Sequence, residues 1–189
     1  MTLLRHLPNL VSLLRILMVP PVAWLIVEQR YAAALALFVV AGVSDGIDGF
    51  LAKHYGWVSR LGSILDPLAD KLLLSVSFIT LALVGQLPLW LALLVLGRDL
   101  VIVIGGVIYH HLVGRFSLEP TFVSKFNTFL QIALVALVLA KLAGLGLPQW
   151  CIDVPVVLLV LSVLVSGGDY VWTWGRQGLR ALRSRRDGE

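Results

Sequence analysis

The sequence predicts an all-α polytopic membrane protein with six transmembrane helices, and three observations lead to that prediction. The 189 residues are 59% hydrophobic and 14% charged, and their mean hydropathy is +0.93. That composition is typical of a membrane protein and leaves no room for a separate soluble domain. Apolar runs close to the ~20 residues that one span requires recur along the whole chain. Polar residues concentrate where these runs end.

The first element is a short N-terminal interfacial segment, residues 1–9, which precedes an apolar run. Arg15 interrupts that run and no small-residue cleavage site follows it, so we predict a retained first span rather than a signal peptide. All six spans belong to one membrane domain over residues 1–189, with the bundle at 10–175 and a polybasic cytoplasmic tail at 176–189. The predicted spans are Leu10–Val27, Tyr31–Asp48 (continuing to about His54), Ile64–Val84, Leu89–Leu112, Phe122–Leu142 and Ile152–Trp174.

The basic residues predict the orientation of these spans. With the N-terminus inside, most arginines and lysines fall on inner segments, and the outer loops hold only Arg30 and Lys141. The positive-inside rule then places both termini on the cytoplasmic side of a membrane, which we expect to be a bacterial inner membrane. The net charge of +4 is explained by these helix ends, so nucleic acid is not an expected partner. The tail suits contact with anionic lipid headgroups of the bilayer, or it is an ordinary anchor of the topology, and both roles can hold together.

Four aspartates mark the facing ends of the second and third spans. Asp45 and Asp48 are spaced i, i+3, and Asp66 and Asp70 are spaced i, i+4, so each pair shares one face of a helix. If the two helices are antiparallel neighbours, the four carboxylates meet at one cytoplasmic end. Two divalent cations would balance that charge, and oxygen ligands favour Mg²⁺ or Mn²⁺. The alternative is that they are solvated helix-end residues without a shared ligand.

Polar residues inside the other spans are further candidates for a site. Asn9, where the first span starts, forms one stripe with Ser12 and Arg15 within it, although Asn9 could be a helix cap and Arg15 a snorkelling residue. In the fourth span, Arg98 and Asp99 either pair locally with other spans, or Arg98 faces the cavity and helps to hold a phosphate. The fifth span has a polar half at its cytoplasmic end, suited to a second substrate, and its candidate residues are Lys125, Asn127 and Gln131.

The aspartates belong to a longer pattern that resembles a known family. The chain follows D-x2-D-G-x2-A-[R]-x8-G-x3-D-x3-D, with Lys53 in place of the usual arginine, which keeps the charge and loses the bidentate fork. This pattern is similar to the signature of the CDP-alcohol phosphatidyltransferases. The matching residues are Asp45, Asp48, Gly49, Ala52, Gly62, Asp66 and Asp70.

The resemblance implies an enzyme that moves a phosphatidyl group from CDP-diacylglycerol to an alcohol and releases CMP. It implies that the four aspartates hold two metal ions at a cytoplasmic active site, and that Asp70 is the general base. Family members also suggest a homodimer. The residues expected to contact CDP-diacylglycerol are Asn9, Ser12, Gly49, Ala52, Lys53, Ser59 and Gly62.

The resemblance favours phosphatidylglycerol as the acceptor alcohol, with glycerol 3-phosphate as the alternative. Residues 5–140 include the Arg98-Asp99 pair and the run from Ser124 to Gln131, and they resemble members that use phosphatidylglycerol and form cardiolipin. A sister activity uses glycerol 3-phosphate and shares the same signature. The expected acceptor contacts are Arg15, Arg98, Lys125, Asn127 and Gln131.

A cation transporter is an alternative from another class of protein, because it too has acids within spans. Transporters usually place their sites near the midplane, on broken helices of two repeated halves. Here the acids lie toward one end of two neighbouring helices, and no inverted repeat is visible. The sequence therefore favours the enzyme.

Overall fold

Helices make up all the regular structure that is described in this chain. The structure, a computed structural model, describes residues 7–55, 62–113 and 122–165. Within these ranges there are helices and turns and no strands, which confirms the all-α prediction. The helices are α1 (Leu7–Val27), α2 (Tyr31–Tyr55), α3 (Gly62–Leu83), α4 (Leu89–Val113) and α5 (Phe122–Leu142), followed by α6, described over Trp150–Val165.

The helix bounds follow the apolar runs closely. The start and end of α5 agree with the prediction, and α1 begins at Leu7, three residues earlier than predicted. Pro8 is compatible with that start, because a proline in the first helical turn lacks an N–H that has no intrahelical partner there. The polybasic tail and the rest of residues 1–6, 56–61, 114–121 and 166–189 lie outside the described residues.

Three tight turns join α1 to α2, α3 to α4, and α5 to α6. The first contains Gln29 with a φ of 57°, and the second contains Gly85 with a φ of 75°. The third contains Gly144 and Gly146, with φ values of 86° and 65°. Left-handed backbone of this kind closes helix C-termini and is easiest for glycine. Each turn therefore reverses the chain within a few residues and makes consecutive helices antiparallel.

The third helix is the centre of the packing. It contacts α1, α4 and α5, whereas α2 packs against α1 and α5. Its residues Phe78 and Leu81 are fully buried, as are Ile26 of α1, Leu91 of α4 and Leu134 of α5. These side chains belong to one continuous apolar cluster. Residues on α3 are consequently held from several sides, which gives its polar side chains fixed positions.

The lengths of the apolar stretches can be compared with the thickness of a bilayer. Among the described residues, the stretch Ser124–Leu142 is long and apolar enough to cross a membrane by itself. Val11–Val27, Tyr31–Ser44 and Trp150–Val165 are apolar but shorter. Large apolar side chains such as Leu17, Trp24 and Leu93 are exposed on the outer faces of their helices. The six-span membrane architecture stays a prediction.

Candidate active site

The first helix contacts the aspartates of the third helix at two points. The Ser12 hydroxyl donates a hydrogen bond to Asp66, and the Arg15 guanidinium Nη1 lies 2.5 Å from Oδ1 of Asp70. Residue numbers rise together along the two helices, so α1 and α3 run in the same direction. Ser12 and Arg15 are three residues apart on α1, and Asp66 and Asp70 are four residues apart on α3. Each separation is close to one helical turn. Two successive turns of α1 therefore hold two successive turns of α3.

The Arg15–Asp70 ion pair joins a buried cation to a carboxylate that reaches the surface. The side chain of Arg15 is 1% exposed, whereas that of Asp70 is 43% exposed. A buried charge is costly unless it is paired, so Arg15 depends on this contact for its position in the bundle. In return the guanidinium orients the carboxylate, which remains accessible on its other side. The predicted roles of Ser12 and Arg15 in contacting substrates stay predictions.

A second chain of charges links α3 to α4 and α5. The Lys71 ammonium lies 2.5 Å from Oδ2 of Asp99, and Nη1 of Arg98 lies 2.8 Å from Oδ1 of the same carboxylate. Arg98 also donates a hydrogen bond to the Ser124 hydroxyl at 3.2 Å. The local pairing of Arg98 that the sequence left open is thus present. Lys71 was not selected as a site residue from the sequence. A lysine directly after Asp70 in an otherwise apolar stretch was a signal that could have identified it.

The second helix carries the other half of the family signature. Asp45, Asp48, Gly49, Ala52 and Lys53 all lie within α2. The side chains of the two aspartates, Ala52 and Lys53 lie outside the described part of the protein. The same holds for the side chain of Asn9 in α1. Ser59 falls in the 56–61 gap, and Gly62 is the first residue of α3. Within the described residues no group of three potential metal ligands occurs, so the predicted four-carboxylate metal site stays a prediction.

The candidate amides of α5 are deep inside the bundle. Asn127 and Gln131 are fully buried one turn apart, and Lys125 is exposed on the opposite face. Ser162 of α6 donates a hydrogen bond of 2.7 Å to Oδ1 of Asn127. Nδ2 of Asn127 and both polar atoms of Gln131 have no hydrogen-bond partner in the described part of the protein. Leaving such groups unsatisfied costs about 1–3 kcal/mol each, which favours contact with water or a ligand.

An apolar groove begins at Asp70. It has a volume of about 220 Å³ and lies between α2, α3 and α5. Asp70 is the one charged residue among those described as lining it. A carboxylate at the end of an apolar groove fits an amphiphile whose polar head lies near the carboxylate. The lining residues are Phe38, Val39, Gly42, Val43, Asp70, Leu73, Leu74, Thr128, Ile132 and Ala136.

The arrangement combines two chemistries at one place. Asp66 and Asp70 present hard oxygen donors that suit Mg²⁺ or Mn²⁺, and both side chains are partly exposed. The cation Arg15 contacts Asp70, and Lys71 follows Asp70 in sequence with its ammonium bound to Asp99, so positive charge that favours anionic groups lies near this end of α3. With the groove beside them, these residues can bind a phosphate-bearing lipid headgroup.

Residues 5–167 match the sequence profile described as CDP-alcohol phosphatidyltransferase. A rat protein named cardiolipin synthase (CMP-forming) is 39% identical over 150 residues, which are 70% of this chain and 49% of that protein. An Aquifex aeolicus protein named CDP-diacylglycerol–glycerol-3-phosphate 3-phosphatidyltransferase is 31% identical over 171 residues, 87% of this chain and 93% of that protein.

A third similar protein comes from Mycobacterium tuberculosis. It is named a probable phosphatidylglycerophosphate synthase and is 31% identical over 172 residues, 88% of this chain and 80% of that protein. The chain thus spans about half the length of the mammalian relatives and most of the length of the bacterial ones.

Proposed function

The chain belongs to the CDP-alcohol phosphatidyltransferase family, and from that premise we propose that it transfers a phosphatidyl group from CDP-diacylglycerol to an alcohol and releases CMP. The observation that carries the proposal is the pair Asp66 and Asp70, held by Ser12 and Arg15 where the apolar groove begins. The family match covers both the aspartates and the helices that hold them. Phospholipid biosynthesis is the process that this reaction serves.

In the proposed reaction the acceptor hydroxyl attacks the phosphorus that bears diacylglycerol. A new phosphorus–oxygen bond forms to the acceptor, the bond to the bridging oxygen of CMP breaks, and Asp70 accepts the hydroxyl proton. Arg15 holds the Asp70 carboxylate in one orientation. A general base needs such a fixed orientation to accept the proton as the new bond forms. The partial exposure of Asp70 leaves it reachable by the alcohol.

We infer that Asp45, Asp48, Asp66 and Asp70 together would hold two divalent cations, Mg²⁺ or Mn²⁺. When bound, such ions neutralise charge on the pyrophosphate and on the attacking and leaving oxygens. The donor set is entirely carboxylate oxygen, which suits these ions better than zinc. Ser12 fixes Asp66 and Arg15 fixes Asp70, so the α3 half of the set is oriented before any ligand arrives.

The apolar groove would take an acyl chain of CDP-diacylglycerol. Gly42 lines the groove, and a Cβ atom built on it has no heavy atom within 4 Å. Gly42→Leu should therefore leave the helix intact while filling part of the groove. Losing room for about two methylene groups costs ~1.6 kcal/mol, so we expect the KM for CDP-diacylglycerol to rise about 15-fold. Steady-state CMP release in mixed micelles measures this.

Gly97→Leu is the matched control for that variant. Gly97 lies on α4, is exposed, and also has open space where a Cβ would be placed. It does not line the groove, so its KM should stay within about twofold of the parent value. Equal KM values for the two leucine variants would show that the groove does not hold the donor.

For the acceptor we propose phosphatidylglycerol, with cardiolipin as the product. The higher identity to the rat cardiolipin synthase supports this choice. Glycerol 3-phosphate is the second candidate, and the specific observation in its favour is the nearly full-length match to the Aquifex protein. Both acceptors carry a phosphate group, so the cations Arg98 and Lys125 suit either one.

A detergent assay with CDP-diacylglycerol and Mg²⁺ separates the two acceptors. CMP release and a cardiolipin product with phosphatidylglycerol, and no turnover with glycerol 3-phosphate, would support the proposal. Turnover with glycerol 3-phosphate alone would replace the acceptor and keep the reaction. If neither acceptor releases CMP from the folded protein, the proposed function is wrong.

The setting of the reaction follows from its lipid substrates. We propose a multi-pass protein of a bacterial inner membrane, a homodimer, with both termini and the site on the cytoplasmic side. The exposed apolar side chains support the membrane setting, and the excess of arginine and lysine on the inner segments supports the orientation. The homodimer is proposed from the resemblance to the family.

A further inference from the structure

Lys71 and Asp99, which form an ion-paired chain with Arg98, have no role in the reaction described above, although Lys71 directly follows Asp70. Asp99 is 8% exposed, and its two oxygens each contact a different cation, Lys71 on α3 and Arg98 on α4. A buried carboxylate shared by two cations is a specific arrangement, because each partner must be held in place for the other to be satisfied.

Lys71 is the member of this chain that could interfere with the site. It follows Asp70 directly on α3, and more than a third of its side chain is exposed. A lysine side chain is long and flexible, so an unpaired ammonium at this position could turn toward Asp70 or Asp66. There it would neutralise a carboxylate and compete with a divalent cation for it.

The structure shows what prevents this. The Lys71 ammonium is bound to Asp99 at 2.5 Å, on the side of α3 that faces α4. Arg98 fixes the orientation of Asp99 through the 2.8 Å contact, and Arg98 is itself held by Ser124 of α5. The planar guanidinium bridges both partners, so the carboxylate is anchored from α4 and α5 and not only by Lys71.

We propose that Asp99 is a positioning residue that keeps the Lys71 charge away from Asp66 and Asp70, so that these carboxylates remain available to divalent cations. The inference rests on the proposed function, since it concerns the same cation site. Asp99 itself is not proposed to bind a cation. It predicts that Asp99 affects cation binding only through Lys71.

The test is the Kd for Mn²⁺ of the full-length, detergent-solubilised protein without substrates. Electron paramagnetic resonance of the free ion measures how much Mn²⁺ remains unbound. Asp99→Asn should weaken Mn²⁺ binding about tenfold, which corresponds to ~1.4 kcal/mol. Asp99→Glu keeps a carboxylate and should remain within about threefold of the parent protein. The double variant Asp99→Asn with Lys71→Met should also return to within about threefold, because the released charge is gone.

Two results would overturn the proposal. One is unchanged Mn²⁺ affinity in Asp99→Asn, and the other is a double variant as weak as the single one, since a general structural role of Asp99 would not be relieved by removing Lys71. If Asp99→Asn alone does not fold, the same substitution is made in a Lys71→Met background. It should change Mn²⁺ affinity less than about threefold there, and a tenfold loss would again overturn the proposal.

A control and the parent protein separate this inference from the proposed function. Asp153→Asn makes the same exchange on α6, where Asp153 is exposed and accepts a hydrogen bond from Gln149, and its Mn²⁺ affinity should not change. If the parent protein binds no Mn²⁺ and releases no CMP, the proposed function fails together with this inference. If the parent binds Mn²⁺ and Asp99→Asn binds it equally well, only the positioning role fails.

Discussion

Asp70→Asn is expected to lower the rate of CMP release by at least about 1,000-fold, because it removes a proton acceptor and a cation ligand in one substitution. Asparagine retains an oxygen that can accept the hydrogen bond from Arg15, which contacts Oδ1 of Asp70 in the parent protein. The helix contact between α1 and α3 should therefore persist. The measurement is CMP release under saturating CDP-diacylglycerol and acceptor, with thermal unfolding recorded on the same samples.

Asp153→Asn serves as the control for this substitution as well. Asp153 lies at the start of α6 and takes part in a small network in which Lys141 donates to Gln149 and Gln149 donates to Asp153. Loss of its charge should leave CMP release within about twofold of the parent rate, in keeping with the small effects of exposed polar changes. If the Asp70→Asn protein folds and retains more than a tenth of the parent activity, Asp70 is neither the general base nor an essential cation ligand.

Chelation of divalent cations is expected to abolish CMP release altogether. Without cations the carboxylates would repel the pyrophosphate of the donor instead of binding it, and nothing would offset charge on the departing CMP. Added Mg²⁺ or Mn²⁺ should restore the rate, because both ions accept oxygen ligands. The measurement is CMP release before EDTA, after EDTA and after each ion is returned.

EDTA already saturated with Mg²⁺ is the control for effects of the chelator on detergent or lipid. The protein should still unfold cooperatively in all samples, since the packing around α3 is one apolar cluster. Undiminished turnover after complete chelation would exclude a cation-dependent mechanism, and with it the assigned role of the aspartates.

The helices could be predicted from the sequence because apolar runs and turn residues set their ends locally. The predicted range Phe122–Leu142 is the observed α5. The spacing of Asn127 and Gln131 predicts a shared face, and both are fully buried. These features depend on the 3.6-residue period of one helix and on nothing outside it.

The contacts between helices could not be predicted in the same way. Arg15 and Asp70 are 55 residues apart in sequence, and their pairing depends on how α1 and α3 are rotated against each other. That rotation is decided by the fit of many apolar side chains, which no single helix's periodicity contains. For the same reason the Arg15–Asp70 contact was not predicted, and Lys71 was not selected as a site residue because its partner Asp99 lies on another helix.

The central place of α3 in the packing has a consequence for how this protein can change over generations. Because α1, α4 and α5 all contact α3, most substitutions on it would disturb either a neighbour or the candidate site. Its outward side is a narrow line of exposed apolar residues, where one aliphatic side chain can replace another at little cost to stability. Neutral drift in the helix that bears Asp66 and Asp70 should therefore concentrate at Leu68, Leu72, Ile79 and Leu83.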